Sequence, residues 1–145
     1  QPGKLVAVGY RNGKKVKTEV VETTGKATAI ALSADRDMIK ADNNDVAVVT
    51  VAWKDKKGRV VPTACHQLTL HLDGDMRILG VGNGDPACKD AERPTDANAK
   101  DFTVKAFNGY ARIYLQAGKK TGENTLSVSA DGMKEKRIFI SCEGK

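Results

Sequence analysis

The sequence has few of the residues on which several protein classes depend. Only 5% of its 145 residues are aromatic, and three cysteines, an odd number, cannot form a complete disulfide framework. No apolar run approaches the roughly 18 residues that a membrane-spanning helix needs. These absences predict a chain with no membrane span that is not held together by a disulfide scaffold.

The positions of the cysteines within predicted strands indicate free thiols. Apolar residues alternate in 65–72, which places Cys65 on the outer face, whereas the alternation in 138–142 turns Cys142 inward. A bond between Cys65 and Cys142 would therefore join opposite faces of the fold. We interpret Cys142 as a small core residue, and Cys65 and Cys88 as unpaired thiols.

Groups of residues suited to catalysis or metal binding are also missing. His66 and His71 are five residues apart on one predicted strand, so their side chains point to opposite faces and cannot share a metal. No Cys-x-x-Cys pair, calcium-loop motif or hydrolase triad motif is present. We predict no catalytic residue, no metal and no cofactor, and we interpret His66 as a hydrogen-bonded residue at the core boundary.

The net charge of +6 is concentrated at one end of the chain. Residues 1–26 carry six basic and two acidic residues, while the remaining 119 residues carry 18 basic and 16 acidic ones. A nucleic-acid-binding protein is expected to interleave a basic face with stacking aromatic residues, and this pattern is absent. We therefore expect no nucleic-acid partner.

The chain does contain repeated signals of short β-strands. Several segments alternate apolar and polar residues between turn signals, and none keeps a helical period, which predicts an all-β, immunoglobulin-like antiparallel β-sandwich. The segment Asp45–Trp53 is apolar at nearly every position, which is typical of a central strand covered on both sides. The predicted core comprises Ile30, Leu32, Val49, Val51, Leu68, Leu70, Leu72, Ile113, Leu115, Leu126, Val128, Ile138 and Ile140.

A separate hairpin is predicted at the start of the sequence. Two strand-like runs flank Asn12-Gly13, and Asn-Gly is a strong signal for a two-residue hairpin turn because both residues adopt positive φ there. Since an isolated hairpin is marginally stable in water, we expect it to lie on something else. The predicted boundary separates residues 1–26, a hairpin and linker, from a sandwich over 27–145.

A glycine-rich segment between two predicted strands is the most distinctive feature. It contains Gly80, Gly82, Asn83, Gly84, Asp85 and Pro86, and a second tag, Asn108-Gly109, precedes another strand. A dinucleotide loop would need a third glycine at position 85 and a following helix, which Asp85 and Pro86 oppose. We interpret both tags as structural corners at which the backbone needs positive φ or close approach.

Aromatic residues provide the only candidates for glycan contact. Tyr114 alternates with an apolar set and is predicted to face outward. Trp53 shares its parity with Val49 and Val51, which favours core packing over glycan stacking, although both functions stay open. One outward tyrosine is not a stacking platform, so a glycan partner is an alternative rather than the main prediction.

Several of these segments resemble parts of one enzyme family. The run 2–10, Asn12-Gly13 and 23–25 look like the closing hairpin of a β-sandwich domain in glycoside hydrolase family 2 β-galactosidases. The segments 45–51, 55–64, 80–86 and 107–109 resemble the C-terminal immunoglobulin-like domain of the same enzymes, as found in Bacteroides-type bacteria.

The resemblance implies an accessory role. In that family the catalytic glutamates lie in a TIM-barrel domain, and no position of this chain matches their motifs. The implied protein is a non-catalytic C-terminal domain of an exported, periplasmic or cell-surface β-galactosidase, in contact with its other domains or with a second subunit in a homo-oligomer. The alternatives are a carbohydrate-binding module and an adhesin-type immunoglobulin repeat, the latter predicting tandem copies.

Overall fold

The computed structural model describes residues 2–144, and these form eleven β-strands without an α-helix. The strands are β1 (Lys4–Arg11), β2 (Lys14–Glu22), β3 (Ala29–Ala34), β4 (Met38–Lys40), β5 (Val46–Lys54), β6 (Gln67–Asp73), β7 (Arg77–Gly82), β8 (Asp101–Lys105), β9 (Tyr110–Gln116), β10 (Gly122–Ser129) and β11 (Lys136–Glu143).

Nine of the strands form two facing sheets. The five-stranded sheet has the order β4-β11-β10-β6-β8, and the four-stranded sheet has the order β3-β5-β9-β7. The pairs are antiparallel except β4 with β11, which is parallel. The fold is therefore the predicted all-β, immunoglobulin-like sandwich, with one parallel pair at an edge.

One apolar core lies between the two sheets. Eleven of the thirteen predicted core residues are buried, while Leu32 and Ile138 are partly buried and pack against the core margin. Leu32 lies on β3, an edge strand. Ile138 pairs only with β10, since the short β4 reaches only Ser141–Glu143. Both deviations arise because a strand without a neighbour on one side leaves its side chains less covered.

A buried amide connects the two sheets. Asn124 on β10 is 3% exposed, and its side-chain oxygen accepts the backbone N–H groups of Asp75 and Met76, at 2.7 and 3.0 Å. These residues lie in the turn that carries the chain from β6 in one sheet to β7 in the other. The amide nitrogen donates to the Ile140 carbonyl at 3.3 Å and to the sulfur of Cys142 at 3.4 Å. Asn124 therefore fixes the crossover between the sheets.

Cys65 and Cys142 lie where strand parity predicts. Cys65 and Cys88 are exposed, Cys142 is buried, and all three are free thiols. Burial raises the pKa of the Cys142 thiol. This thiol is consequently a core group of low reactivity.

The predicted hairpin forms, but it does not lie on the sandwich. β1 and β2 pair around Asn12 and Gly13, which have φ of 51° and 73°, and a bulge interrupts their register at Gly9 and Tyr10. Residues 4–21 are exposed at every position. The sandwich over 27–144 therefore does not provide the support that the hairpin was expected to need.

Candidate functional site

The glycine-rich corner after β7 is built from turns in which side chains bind the backbone. The Asn83 side-chain oxygen accepts the N–H of Asp85 at 2.9 Å, and an Asp85 carboxylate oxygen accepts the N–H of Ala87 at 2.9 Å. Gly84 between them has φ of 79°, a region that favours glycine. The polar side chains of the corner therefore satisfy its own backbone, which is typical of a structural turn.

The other glycine positions differ in what they require. A side chain at Gly80 would approach the Glu92 carbonyl oxygen to 3.2 Å, so the loop after the corner passes close to this strand. Gly82 has neither a positive φ nor a close neighbour, so the interpretation that it needs special backbone geometry is wrong. Asn108 and Gly109 have φ of 50° and 82° and form the turn before β9.

A small cavity of about 270 Å³ opens beside the corner, at the ends of β7 and β8. Its lining includes Asn83 and Asp85, which are used by the turns, and Asp90, which pairs with Lys105 at 3.3 Å. Most of its polar groups already have partners within the chain. This arrangement favours a structural corner over a ligand loop.

The two aromatic candidates occupy different environments. Trp53 is 1% exposed and packs in the core, as its parity predicts, so no ring face is open to a glycan and it drops out as a contact candidate. Its indole N–H has no hydrogen-bond partner among the described residues. His66, expected to be a hydrogen-bonded boundary residue, is instead exposed, and its ring lies against the Trp53 ring with centroids 5.1 Å apart.

Tyr114 lies on the outer face of the four-stranded sheet. It is half-buried, and its register neighbours are Val48 on β5 and Gly80 on β7. It lines a groove of about 680 Å³ together with Leu79 and Arg93. Tyr114 is thus the one predicted glycan-contact residue that the structure leaves accessible.

A group of charged hydrogen bonds between the hairpin, its linker and the turn after β5 was not evident in the sequence. The Asp55 carboxylate accepts the N–H of Gly25 at 3.0 Å and two bonds from the Arg59 guanidinium, at 2.9 and 2.7 Å. Arg59 also donates to Glu22, at the end of β2, at 2.8 Å. Glu22 and Arg59 are 37 residues apart, so no local pattern indicates their pairing. We call Glu22, Asp55 and Arg59 the junction cluster.

The electrostatics of the junction cluster favour its charged form. The hydrogen bonds from Arg59, followed by that from Gly25, hold the pKa of Asp55 well below its usual range. The same pairing raises the pKa of Arg59. Asp55 and Arg59 therefore stay ionised at neutral pH, and the cluster connects the hairpin to the sandwich by charged hydrogen bonds.

A further charged pair lies on the outer face of the five-stranded sheet. The ring of His71 is 2.7 Å from the Asp101 carboxylate and 3.4 Å from that of Asp73. The hydrogen bond to Asp101, with the charge of Asp73 nearby, raises the pKa of His71.

No helix of the described chain is long and apolar enough to cross a membrane. Within residues 2–144 there is also no group of three or more His, Cys, Asp or Glu residues placed to hold a metal ion.

Comparison with known proteins assigns the sandwich to a family. Residues 30–139 match the sequence profile described as glycoside hydrolase family 2 C-terminal domain 5. The chain belongs to this family. The match confirms the resemblance drawn from the corner and turn motifs, and it covers the sandwich.

Related proteins of this family are much longer than the chain. It is 31% identical over 143 residues to the β-galactosidase BoGH2A of Bacteroides ovatus, covering 99% of this chain and 16% of that protein. A crystal structure of a glycosyl hydrolase family 2 member from Bacteroides cellulosilyticus superposes with a TM-score of 0.88 at 30% identity, covering 97% of this chain and 17% of that one. The chain thus spans about one sixth of the length of these relatives.

A relative from another functional class also matches. The inverse autotransporter adhesin YeeJ of Escherichia coli K12 is 26% identical over 132 residues, covering 90% of this chain and 5% of that protein. The sequence is therefore similar to a segment of an adhesin as well as to glycosidase domains.

Proposed function

We propose that the chain is a non-catalytic accessory part of an exported family 2 glycosidase of β-galactosidase type, periplasmic or on the cell surface. In this proposal residues 1–26 complete a preceding β-sandwich domain, and residues 27–145 form the C-terminal domain. The chain acts by packing against the rest of a longer polypeptide. A β-galactosidase among its relatives, BoGH2A, supports the choice of parent activity.

The exposed hairpin is the observation that carries the proposal. One face of β1 and β2 presents Val6, Val8 and Val20, which are 46%, 38% and 46% exposed. A two-stranded hairpin with an uncovered apolar face is marginally stable by itself, and three or more strands or a covering layer are needed. A preceding domain supplies that cover if β1 and β2 are its last two strands.

The junction cluster gives the hairpin a defined place relative to the sandwich. Glu22 ends β2, Arg59 and Asp55 belong to the turn after β5, and the linker amide of Gly25 binds the same carboxylate. Charged hydrogen bonds of this kind restrict this linker more than a flexible polar linker without them would be restricted. The start of the family match at residue 30 supports a domain boundary within this linker.

Amide hydrogen exchange tests the proposal. We expect amides of residues 4–22 to exchange rapidly in the 145-residue chain and at least tenfold more slowly in the longer polypeptide, since packed strands are protected. Equal exchange in the two proteins would show that nothing covers the hairpin. Hydrolysis of nitrophenyl β-galactoside by the 145-residue chain alone would contradict the non-catalytic role.

Glycan binding is a second candidate function, favoured by the groove that contains Tyr114. Affinity electrophoresis in gels containing galactan would show retardation that is lost on Tyr114→Ala. Tyr10→Ala is the matched control, since Tyr10 is an exposed tyrosine on the hairpin. Unretarded migration in each of several polysaccharides would eliminate this candidate.

An adhesin-type repeat is the third candidate, supported by the similarity to YeeJ. It predicts tandem copies of this sandwich in the gene, whereas the glycosidase proposal predicts a TIM-barrel segment upstream. Sequencing of the gene around this segment distinguishes the two.

A further inference from the structure

The outer faces of the two sheets differ in composition. On the four-stranded sheet, β5 presents Val46, Val48 and Thr50, and β9 presents Tyr110, Arg112 and Tyr114. We call the outward-facing residues of β3, β5, β7 and β9 the β5–β9 face. None of its strand positions carries a carboxylate, and three of the four strands contribute mainly small, aliphatic or aromatic residues.

The opposite outer face has the pattern of a solvated surface. It carries acidic and basic side chains together, such as His71 with Asp101, and Glu123, Arg137 and Lys105 on neighbouring strands. Along β6, β8 and β10, polar or charged residues alternate there with the buried ones, as expected of a sheet with one face in water. Both faces belong to the same small domain, so the overall composition of the chain does not explain why one face is charged and the other mainly apolar.

The apolar sequence of the central strand β5 also indicates that the outer face of the four-stranded sheet is covered. The segment 45–53 is apolar at nearly every position, which predicts cover on both sides. In the structure its inner side chains, Val49 and Val51, are fully buried, while Val46 and Val48 remain partly exposed on the outer side. The described chain therefore covers this strand on its inner side only.

We propose that the β5–β9 face is the docking surface for another domain of the same polypeptide, which places apolar side chains on Val48 and Tyr114 and a carboxylate opposite Arg112. The inference rests on the proposed function, because it requires a longer chain. Arg112 is exposed, and its side chain makes no hydrogen bond or ion pair within residues 2–144. Aromatic residues and arginine are enriched, and Lys, Asp and Glu depleted, in protein interfaces.

The size and charge of the face favour a linked domain over a second copy. Four strands and about five residues along each give roughly 300 Å². Separate proteins that associate stably bury about 800 Å² each, whereas a tethered domain needs less because linkage raises its effective concentration. A symmetric dimer would also place this face against its own copy, so Arg112 would meet a surface whose strands offer no carboxylate.

The same face fits a glycan less well. Its centre consists of valine, alanine and threonine side chains, which offer few hydrogen bonds to hydroxyl groups. Glycan sites need precisely placed polar groups around an accessible aromatic ring, and Tyr114 is half-buried between Val48 and Gly80. The observations therefore favour a protein surface.

Hydroxyl-radical footprinting with mass spectrometry tests the proposal in the unmodified chain and in the longer polypeptide. Tyr110 and Leu79, each 45% exposed, report on the β5–β9 face. Met38 and Phe139, each 52% exposed, are matched probes on the opposite face. We expect at least fivefold slower oxidation of Tyr110 and Leu79 in the longer polypeptide, with Met38 and Phe139 unchanged.

Other outcomes overturn the inference in distinguishable ways. Equal oxidation of Tyr110 in both proteins, together with a protected hairpin, would refute this docking surface but leave the proposed function intact. Protection of Tyr110 in the short chain at high concentration would identify a second copy, and protection on addition of galactan would identify a glycan. A gene that encodes no further domain would refute both the inference and the proposed function.

A charge reversal gives an independent test. Arg112→Glu should restore at least half of the lost Tyr110 oxidation in the longer polypeptide, and it should leave the melting temperature of the 145-residue chain within about 2 °C of the unmodified chain. Arg137→Glu, on the opposite face, is the control and should leave Tyr110 protected. Full protection of Tyr110 in the Arg112→Glu protein would exclude a carboxylate partner and overturn the inference.

Discussion

Replacing Asn124 by leucine should strongly destabilise the sandwich. The substitution removes the acceptor of two backbone N–H groups, those of Asp75 and Met76, and the amide that donates to Ile140. A buried donor left without a partner costs about 1–3 kcal/mol, and leucine fills the space that a replacing water would need. We therefore expect a loss of about 4 kcal/mol, a large fraction of the roughly 5–15 kcal/mol that stabilises a domain.

Urea unfolding followed by tryptophan fluorescence measures this loss. Trp53 is the only tryptophan and is 1% exposed, so its emission reports on opening of the core. Asn98→Leu is the control, since Asn98 is an exposed asparagine and surface substitutions usually change stability by less than about 0.5 kcal/mol. A loss below about 1 kcal/mol at an unchanged denaturant dependence would refute the structural role assigned to Asn124.

Three further predictions concern a turn and two charged groups. Gly109→Ala should cost about 3 kcal/mol in urea unfolding, because φ is 82° and the new methyl group would overlap the Val61 carbonyl oxygen; a loss under about 1 kcal/mol would contradict this. NMR titration should place the pKa of His71 above 6.5. The pairing of His71 with Asp101 therefore stabilises the fold at low pH, and this stabilisation is lost as pH rises through the pKa of the folded state. Asp101→Asn should lower the pKa of His71, and an unchanged pKa would contradict the assigned cause. The lowered pKa of Asp55 gives stability that is present above about pH 4 and lost as pH falls further. The Asp55→Asn chain should therefore lose less stability than the unmodified chain between pH 5 and pH 2, and an equal loss would count against the junction cluster.

Local patterns predicted most of the sandwich because strand alternation and turn chemistry act over a few residues. The burial of Leu68, Leu70 and Leu72 and the inward position of Cys142 follow from a two-residue period, and the hairpin follows from the turn chemistry of Asn12-Gly13. The exceptions, Leu32 and Ile138, depend on which strands lie at sheet edges. That order is a property of the assembled sheets, which alternation does not encode.

The candidate surfaces were less predictable for the same reason. Parity placed Tyr114 outward but could not show that Arg93 and Leu79 from other segments line a groove with it. Gly82 has neither a positive φ nor a close neighbour, whereas a side chain at Gly80 would approach the carbonyl oxygen of Glu92 in a later loop to 3.2 Å. His66 lies against Trp53 from a neighbouring segment, a contact that neither local pattern contains.

The sequence by itself determined the all-β class, the core alternation and the family, because these depend on local periods and on short motifs such as the corner from Gly80 to Pro86. Only the tertiary structure decided that the hairpin stands uncovered, that Arg59 binds both Glu22 and Asp55, and that the two outer faces differ in charge. The pairing of Arg59 with Glu22 and the two outer faces each bring together residues that are far apart in the chain. Their proximity follows from sheet order and strand register, which are settled by packing of the whole chain.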